Sequence, residues 1–154
     1  MPELLDAMDR KILNLMQKDA SLTIADIAER VGMSQSPCWR RIQRMRQEEI
    51  IIGQVTLLDR KRVGLNAQIF AQVRLNAKGR ENIEEFSRAI QEFDEVLDCY
   101  VTLGTTDFIL RIVASDINAY ERFFFNQLSR VPGIQEINSM VALSEIKSTT
   151  SLPL

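Results

Sequence analysis

The sequence predicts an α+β chain of two modules, and three observations predict it. Apolar residues recur every three to four positions up to about residue 50; beyond residue 62 the segments run strand, helix, strand, strand, helix, strand; and Ala28 stands four positions before Gly32, between two of the early helices. The expected division is a helix-turn-helix module over 1–53, a connecting strand or linker over 54–62, and a ferredoxin-like βαββαβ domain over 63–154.

Each element follows from local patterning. Met8, Ile12 and Leu15, then Ile24, Ile27 and Val31, then Cys38, Ile42 and Met45 mark three short amphipathic helices. Thr23 and Asp26 form a capping box for the second, and Gly32 ends it in the conformation that a tight turn needs. The third starts between Ser34 and Pro37, where a proline in the first turn removes an N–H that has no intrahelical partner. Residues 50–58 read as a strand. Further on come strands at about 67–76, 95–103, 107–114 and 134–146, with helices at about 80–92 and 116–130. Gly79 is expected just before the first of these helices; Ser115 and Asp116 are N-cap candidates for the second, which Pro132-Gly133 ends.

A four-stranded sheet with both helices on one face leaves the other open. Ile69, Ala71, Val73 and Leu75 point one way with Phe70 opposed, and Phe108, Leu110 and Ile112 one way with Ile109 and Val113 opposed, so the open face is apolar too. Monomers seldom expose such a patch, which predicts a homodimer packed sheet to sheet, with one of Phe123, Phe124 and Phe125 as a further interface candidate. A monomer whose linker covers the face is the plainer alternative.

Composition removes several function classes. The absence of histidine excludes Ser/His/Asp triads, Cys–His pairs and histidine metal ligands, and Cys38 and Cys99 lack metal or redox spacing, so neither catalytic residues, metal ligands nor a cofactor are expected. The acids Glu84, Glu85, Glu92, Asp94 and Glu95 read as a solvated surface and not as an enzyme site. The longest apolar run is four residues, Met140 to Leu143, and the start carries acids where a signal peptide carries bases, so a cytoplasmic chain without membrane association is expected.

The net charge of −2 argues against nucleic acid until it is resolved along the chain. Residues 30–46 contain Arg30, Arg40, Arg41, Arg44 and Arg46 and no acid. With Cys38, Ile42 and Met45 inward, Ser36, Arg40, Gln43, Arg44 and Gln47 fall outward, a row of donors suited to phosphates and base edges in a major groove. Arg40 and Arg44 lie one turn apart; Trp39, Arg41 and Arg46 flank them for packing and phosphate contact, and Ser34, Gln35 and Pro37 open the helix. The reading is binding of double-stranded operator DNA. Its competitor, a metabolite-binding regulator of a protein partner that never touches DNA, lacks a use for that donor face.

At these residues the chain resembles the Lrp/AsnC family of transcriptional regulators. The resemblance rests on L-L-D-A-M-D-R-K-I-L (4–13), V-G-M-S-Q-S-P-C-W-R-R-I (31–42), V-T-L-L-D (55–59), G-T-T-D-F-I-L (104–110) and E-I-K-S-T-T-S-L-P-L (145–154). It implies a winged type of helix-turn-helix, dimers that assemble into octamers, and a small amino-acid effector bound around the loop between the second and third strands of the regulatory domain. The matching positions are Leu103, Gly104, Thr105, Thr106 and Asp107, with Ser139 across from them. A glycine turn can offer N–H groups to a carboxylate and an Asp can accept an α-ammonium, although Asp107 bonding its own turn is the simpler use of these residues. Glu49 stands where the family has a helix-closing glycine, so a left-handed cap is expected to be missing, and Thr105-Thr106 replaces an acidic–aromatic pair. Cys38 is expected as a packed small hydrophobe and not as a redox switch.

Overall fold

The structure, a computed structural model, describes residues 5–154. The first four residues of the expected 1–53 module, including Leu4 of the L-L-D-A motif, lie outside the described residues. Two compact units are present: one extends to Thr56 and includes Lys147–Leu154, and the other is Leu57–Ile146.

The first unit holds α1 (Ala7–Met16), α2 (Ile24–Val31) and α3 (Gln35–Gln47) around Ile12, Ile27, Ala28, Cys38, Ile42 and Met45. Capping boxes start two of these helices, Asp6 with Asp9 on α1 and Thr23 with Asp26 on α2, each satisfying two orphan N–H groups. Gly32 closes α2 at φ 75°, and Ala28 is 1% exposed where the helices cross. The C-terminus of α3 differs from expectation. Glu49 takes the left-handed conformation at φ 56°, and the Ile50 and Ile51 N–H groups both donate to the Met45 carbonyl. The left-handed cap therefore exists without glycine, because satisfying the last carbonyls outweighs the steric cost at one residue.

Residues 147–154 lie with the helices, whereas the sequence places them in the second domain. The Gln17 side-chain amide donates to the Leu152 carbonyl (2.9 Å) and accepts from its N–H (2.8 Å), and the Asn14 amide donates to the Leu154 carbonyl (3.2 Å). One side-chain amide thus satisfies both backbone groups of an extended residue.

The second unit is the expected βαββαβ plan: β1 (Ala67–Leu75), α4 (Ala77–Glu81), α5 (Ile83–Gln91), β2 (Val96–Val101), β3 (Phe108–Ala114), α6 (Ile117–Asn126), a 3₁₀ turn at Leu128–Arg130, and β4 (Ile134–Val141). The sheet is antiparallel in the order β2-β3-β1-β4. Ile69, Ala71, Val73, Leu75, Leu110 and Ile112 are fully buried beneath Phe86, Ile90, Tyr120 and Phe123, as the alternation predicts. Phe70 and Ile109 sit half-buried on the opposite side, with Tyr100 and Met140 exposed. Phe125 is the exposed member of the phenylalanine triplet. The first helical segment begins earlier than the sequence suggests. Asn76, whose side chain accepts from the Gly79 N–H, caps a short α4 that contains Gly79. A Cβ on Gly79 would lie 2.4 Å from the Gly133 carbonyl oxygen, so the two backbones touch. Among the described residues 50–58 form no strand, because a strand needs a neighbour for its backbone groups and this stretch has none; Ile52 and Val55 are 94% and 79% exposed.

Replacing Glu49 with glycine is expected to raise the unfolding free energy of the first unit by about 1 kcal/mol by relieving the left-handed strain. Urea denaturation checks this, and an unchanged or lowered midpoint would overturn the assignment of strain to that residue.

Candidate DNA interface and effector site

On α3, Cys38, Ile42 and Met45 are buried, and Gln35, Ser36, Arg40 and Gln47 are exposed, with Gln43 half-buried beside Trp39 at 49%. Ser34 is the N-cap residue, though its side chain makes no capping bond, and Pro37 sits in the first turn. Rotation by 100° per residue sets Ser36, Arg40, Gln43 and Gln47 along one outward line. Among the described residues Arg40 and Arg46 form no ion pair.

Arg41 and Arg44 are placed differently from expectation. Arg41 Nη1 donates to Asp6 (2.6 Å) and Asp9 (2.8 Å), and Arg44 Nη2 donates to the other Asp9 oxygen (2.5 Å), with Glu48 at 3.9 Å from its Nε. Asp9 is 1% exposed, so its carboxylate needs compensating charge, and α3 supplies it twice. Arg40 and Arg44 are both exposed, as expected, but they are not equivalent: Arg40 has no ion pair among the described residues and Arg44 is bound to α1. Sequence reasoning missed Asp9, since an acid in a first helical turn reads as a cap; its place at the third helical position, next to the inward-facing Ile12, is the signal that could have found it. The N–H of Asp9, the Arg41 guanidinium and the N–H of Met8 hold the Asp6 carboxyl at a pKa of about 2. Cys38 is fully buried and its thiol is pushed up by burial, which suits packing and not reactivity.

In the second unit the loop from Thr102 to Asp107 is closed by Thr102 N–H to the Asp107 carbonyl (2.9 Å) and Thr102 Oγ1 to the Thr106 carbonyl (2.7 Å). Leu103, Gly104 and Thr105 are exposed, Leu103 completely. Thr105 and Thr106 edge a cleft of about 180 Å³ whose other walls are Gln72, Arg74, Glu136 and Asn138. These four come from β1 and β4, where Gln72 faces Asn138 and Arg74 faces Glu136 in register; Arg74 Nη1 stands 3.7 Å from the Glu136 carboxylate.

Two expected members lie elsewhere. Asp107 accepts from the Leu75 N–H (2.7 Å) and from Arg80 Nε (3.1 Å) and Nη2 (3.2 Å), contacts that hold its carboxyl below the usual range, so it ties β3 to β1 and α4. Ser139 bonds Tyr120 Oη at 2.5 Å on the helix-covered face. Strand alternation puts Asn138 and not Ser139 with the cleft. Gln72, Arg74, Glu136 and Asn138 could be found from sequence only once the β1–β4 register is known.

A helix-turn-helix with a donor row joined to a βαββαβ domain with a charged cleft defines a DNA-binding, ligand-responsive regulator of transcription. Residues 5–52 match the model for winged helix-turn-helix DNA-binding domains and 68–152 that for the Lrp/AsnC ligand binding domain, and the chain belongs to the Lrp/AsnC family of amino-acid-responsive DNA-binding transcriptional regulators. It is 34% identical to the DNA-binding transcriptional activator DecR of Escherichia coli K12 over 98% of this chain and 99% of that one. Identity to the leucine-responsive regulatory protein of the same organism is 30%, covering 96% and 90%. A transcriptional regulator from Neisseria meningitidis solved with L-Met superposes with a TM-score of 0.92 at 36% identity, covering 97% and 96%. An AsnC family regulator from Agrobacterium tumefaciens gives 0.92 at 39%, covering 97% of each chain. Among the described residues no helix is long and apolar enough to cross a membrane.

The Asp6 carboxyl fixes a pH dependence. Because its folded pKa of about 2 lies below the ordinary 3.8, its contribution to stability is complete above pH 3.8 and is lost as pH falls toward 2. In urea unfolding between pH 5 and pH 2, wild type should lose stability faster than Asp6→Asn, the gap closing near pH 2. Parallel curves would refute the pairing.

Proposed function

We propose that this chain reads a pseudo-palindromic operator through Ser36, Arg40, Gln43 and Gln47, with Trp39, Gln35, Ser34 and Pro37 beside them, and that it does so as a homo-oligomer built on the regulatory domain. The observation that carries the reading is the outward row of α3, which keeps a cation and three neutral donors free opposite a fully buried core face. Arg40 is suited to the two acceptors of a guanine edge, and Gln43 to the acceptor and donor of an adenine edge. The exposed Tyr100 and Met140 on the open sheet face, with Ile52, Val55, Leu57 and Leu58 in the connector, favour a second copy as the oligomer's partner, starting from a dimer and extending to an octamer. Domain limits of 1–53, 54–62 and 63–146, with 147–154 returning to the helices, follow the same division of labour. A cytoplasmic location fits a reader of DNA.

The effector is a small zwitterionic amino acid held at the Thr105-Thr106 edge of the cleft. Arg74 has the charge for its carboxylate and Glu136 the charge for its ammonium, and the pair stands far enough apart at 3.7 Å for a ligand's two charges to compete with it. Bound ligand alters DNA binding only if its affinity differs between two states of the assembly.

Arg40→Ala should weaken operator binding by about 1–3 kcal/mol in a gel-shift titration. Unchanged affinity and an unchanged salt dependence would sink the assignment of α3. For the cleft, a thermal-shift screen of the twenty amino acids should find one that stabilises the chain by about 2.7 kcal/mol at 100 times its Kd, and Glu136→Gln should abolish that shift. A shift that survives the substitution would move the site elsewhere.

A further inference from the structure

We propose that Asp9 is a positioning residue for DNA reading: it withholds Arg41 and Arg44 from the phosphate backbone, leaving α3 with only part of its formal charge available to DNA. The inference rests on the assignment of α3 as the reading helix and goes beyond it.

Five arginines without an acid lie between residues 30 and 46, which would make α3 and its approach a strong and indiscriminate polyanion binder. The structure prevents this. Asp9 is 1% exposed and places both carboxylate oxygens against guanidinium groups, Oδ1 at 2.8 Å from Arg41 and Oδ2 at 2.5 Å from Arg44; Oδ2 also accepts the Asp6 N–H at 3.2 Å, and Asp6 holds Arg41 a second time at 2.6 Å. A phosphate can take Arg41 Nη1 or Arg44 Nη2 only by uncovering a buried carboxylate, a larger loss than one solvent-exposed phosphate contact returns, and the nitrogens that stay exposed carry a charge that the carboxylates already offset. The two arginines are therefore structural cations. They fix the rotation of α3 about its own axis, since a helix clamped at positions 41 and 44 keeps the line 36, 40, 43 and 47 outward. What remains of the five is Arg40 and Arg46 on α3 and Arg30 on α2, with neutral donors, a composition that discriminates among base edges and contributes less to binding that ignores sequence.

The test measures binding of the full-length chain to a 30-base-pair duplex of random sequence over a range of KCl concentrations. Asp9→Asn removes the buried charge and frees Arg44, while Arg41 keeps its pair with Asp6. It should bind this duplex more tightly than wild type, with log K falling more steeply against log salt, by about 1 in slope, since each added phosphate contact contributes about 0.9. A change in thermal stability alone, with the wild-type slope retained, would overturn the proposal. Because that variant can fail to fold, the quadruple variant Asp6→Asn, Asp9→Asn, Arg41→Gln, Arg44→Gln keeps the network neutral and hydrogen-bonded. It should reproduce the wild-type slope, whereas a shallower slope would mean that the two arginines contact DNA in the wild type and would also overturn the proposal. Wild type that binds no duplex at any salt concentration would instead overturn the assignment of α3, so the two failures are distinguishable.

Discussion

A carboxylate removed from water has to be met by charge or by donors, and in this chain the carboxylate of Asp9 determines how the first unit is put together. It closes the capping box of α1, so the helix starts there; it holds two guanidinium groups of α3, so that helix cannot roll; and the space it occupies is next to Ile12, in the same layer as Ile42 and Met45. The hydrophobic contacts among the three helices are permissive about rotation, because several turns of an amphipathic helix can be buried at slightly different angles. A buried ion pair is not permissive. It converts a loosely specified three-helix cluster into one with a single outward face.

The second unit obeys a different constraint, the strict alternation of a strand. Once Ile69, Ala71, Val73 and Leu75 point into the helix layer, Phe70, Gln72 and Arg74 must point away from it, and antiparallel pairing with β4 brings Met140, Asn138 and Glu136 beside them. The face is graded: apolar toward Phe70 and Met140, charged and amide-bearing toward Arg74 and Glu136, where the Thr105-Thr106 loop rises at its edge. One register therefore puts an apolar surface and a polar cleft side by side on the same sheet.

Much of this was legible in the sequence because it depends on local periodicity. The three helices, the strand order, the capping box at Thr23 and the outward donors of α3 follow from spacings of three, four and two residues, read one segment at a time. What stayed hidden depends on pairings across the chain. Whether Arg44 faces DNA or Asp9 is decided by a residue 35 positions earlier, and whether Asn138 or Ser139 meets the cleft is decided by the β1–β4 register. Asp107 was a plausible partner for an ammonium group until Leu75 and Arg80, both more than twenty positions away, were found to occupy it. The expected gap at the end of α3 failed for another reason: propensity describes a preference, and the orphan carbonyls of a helix end can impose the left-handed conformation on a glutamate.

The contact between Gly79 and Gly133 carries a consequence for sequences other than this one. Each glycine's missing side chain is the space that the other's backbone occupies, with Gly133 at φ 85° and its carbonyl accepting the Asn76 N–H at 2.9 Å. Neither position can gain a methyl group while the other keeps its place, although 54 positions separate them. A chain that folds α4 against the start of its last strand in this way has to carry glycine at both places, because each added methyl group would meet the other residue's backbone. That paired absence of side chains is a signature that can be sought in sequence alone.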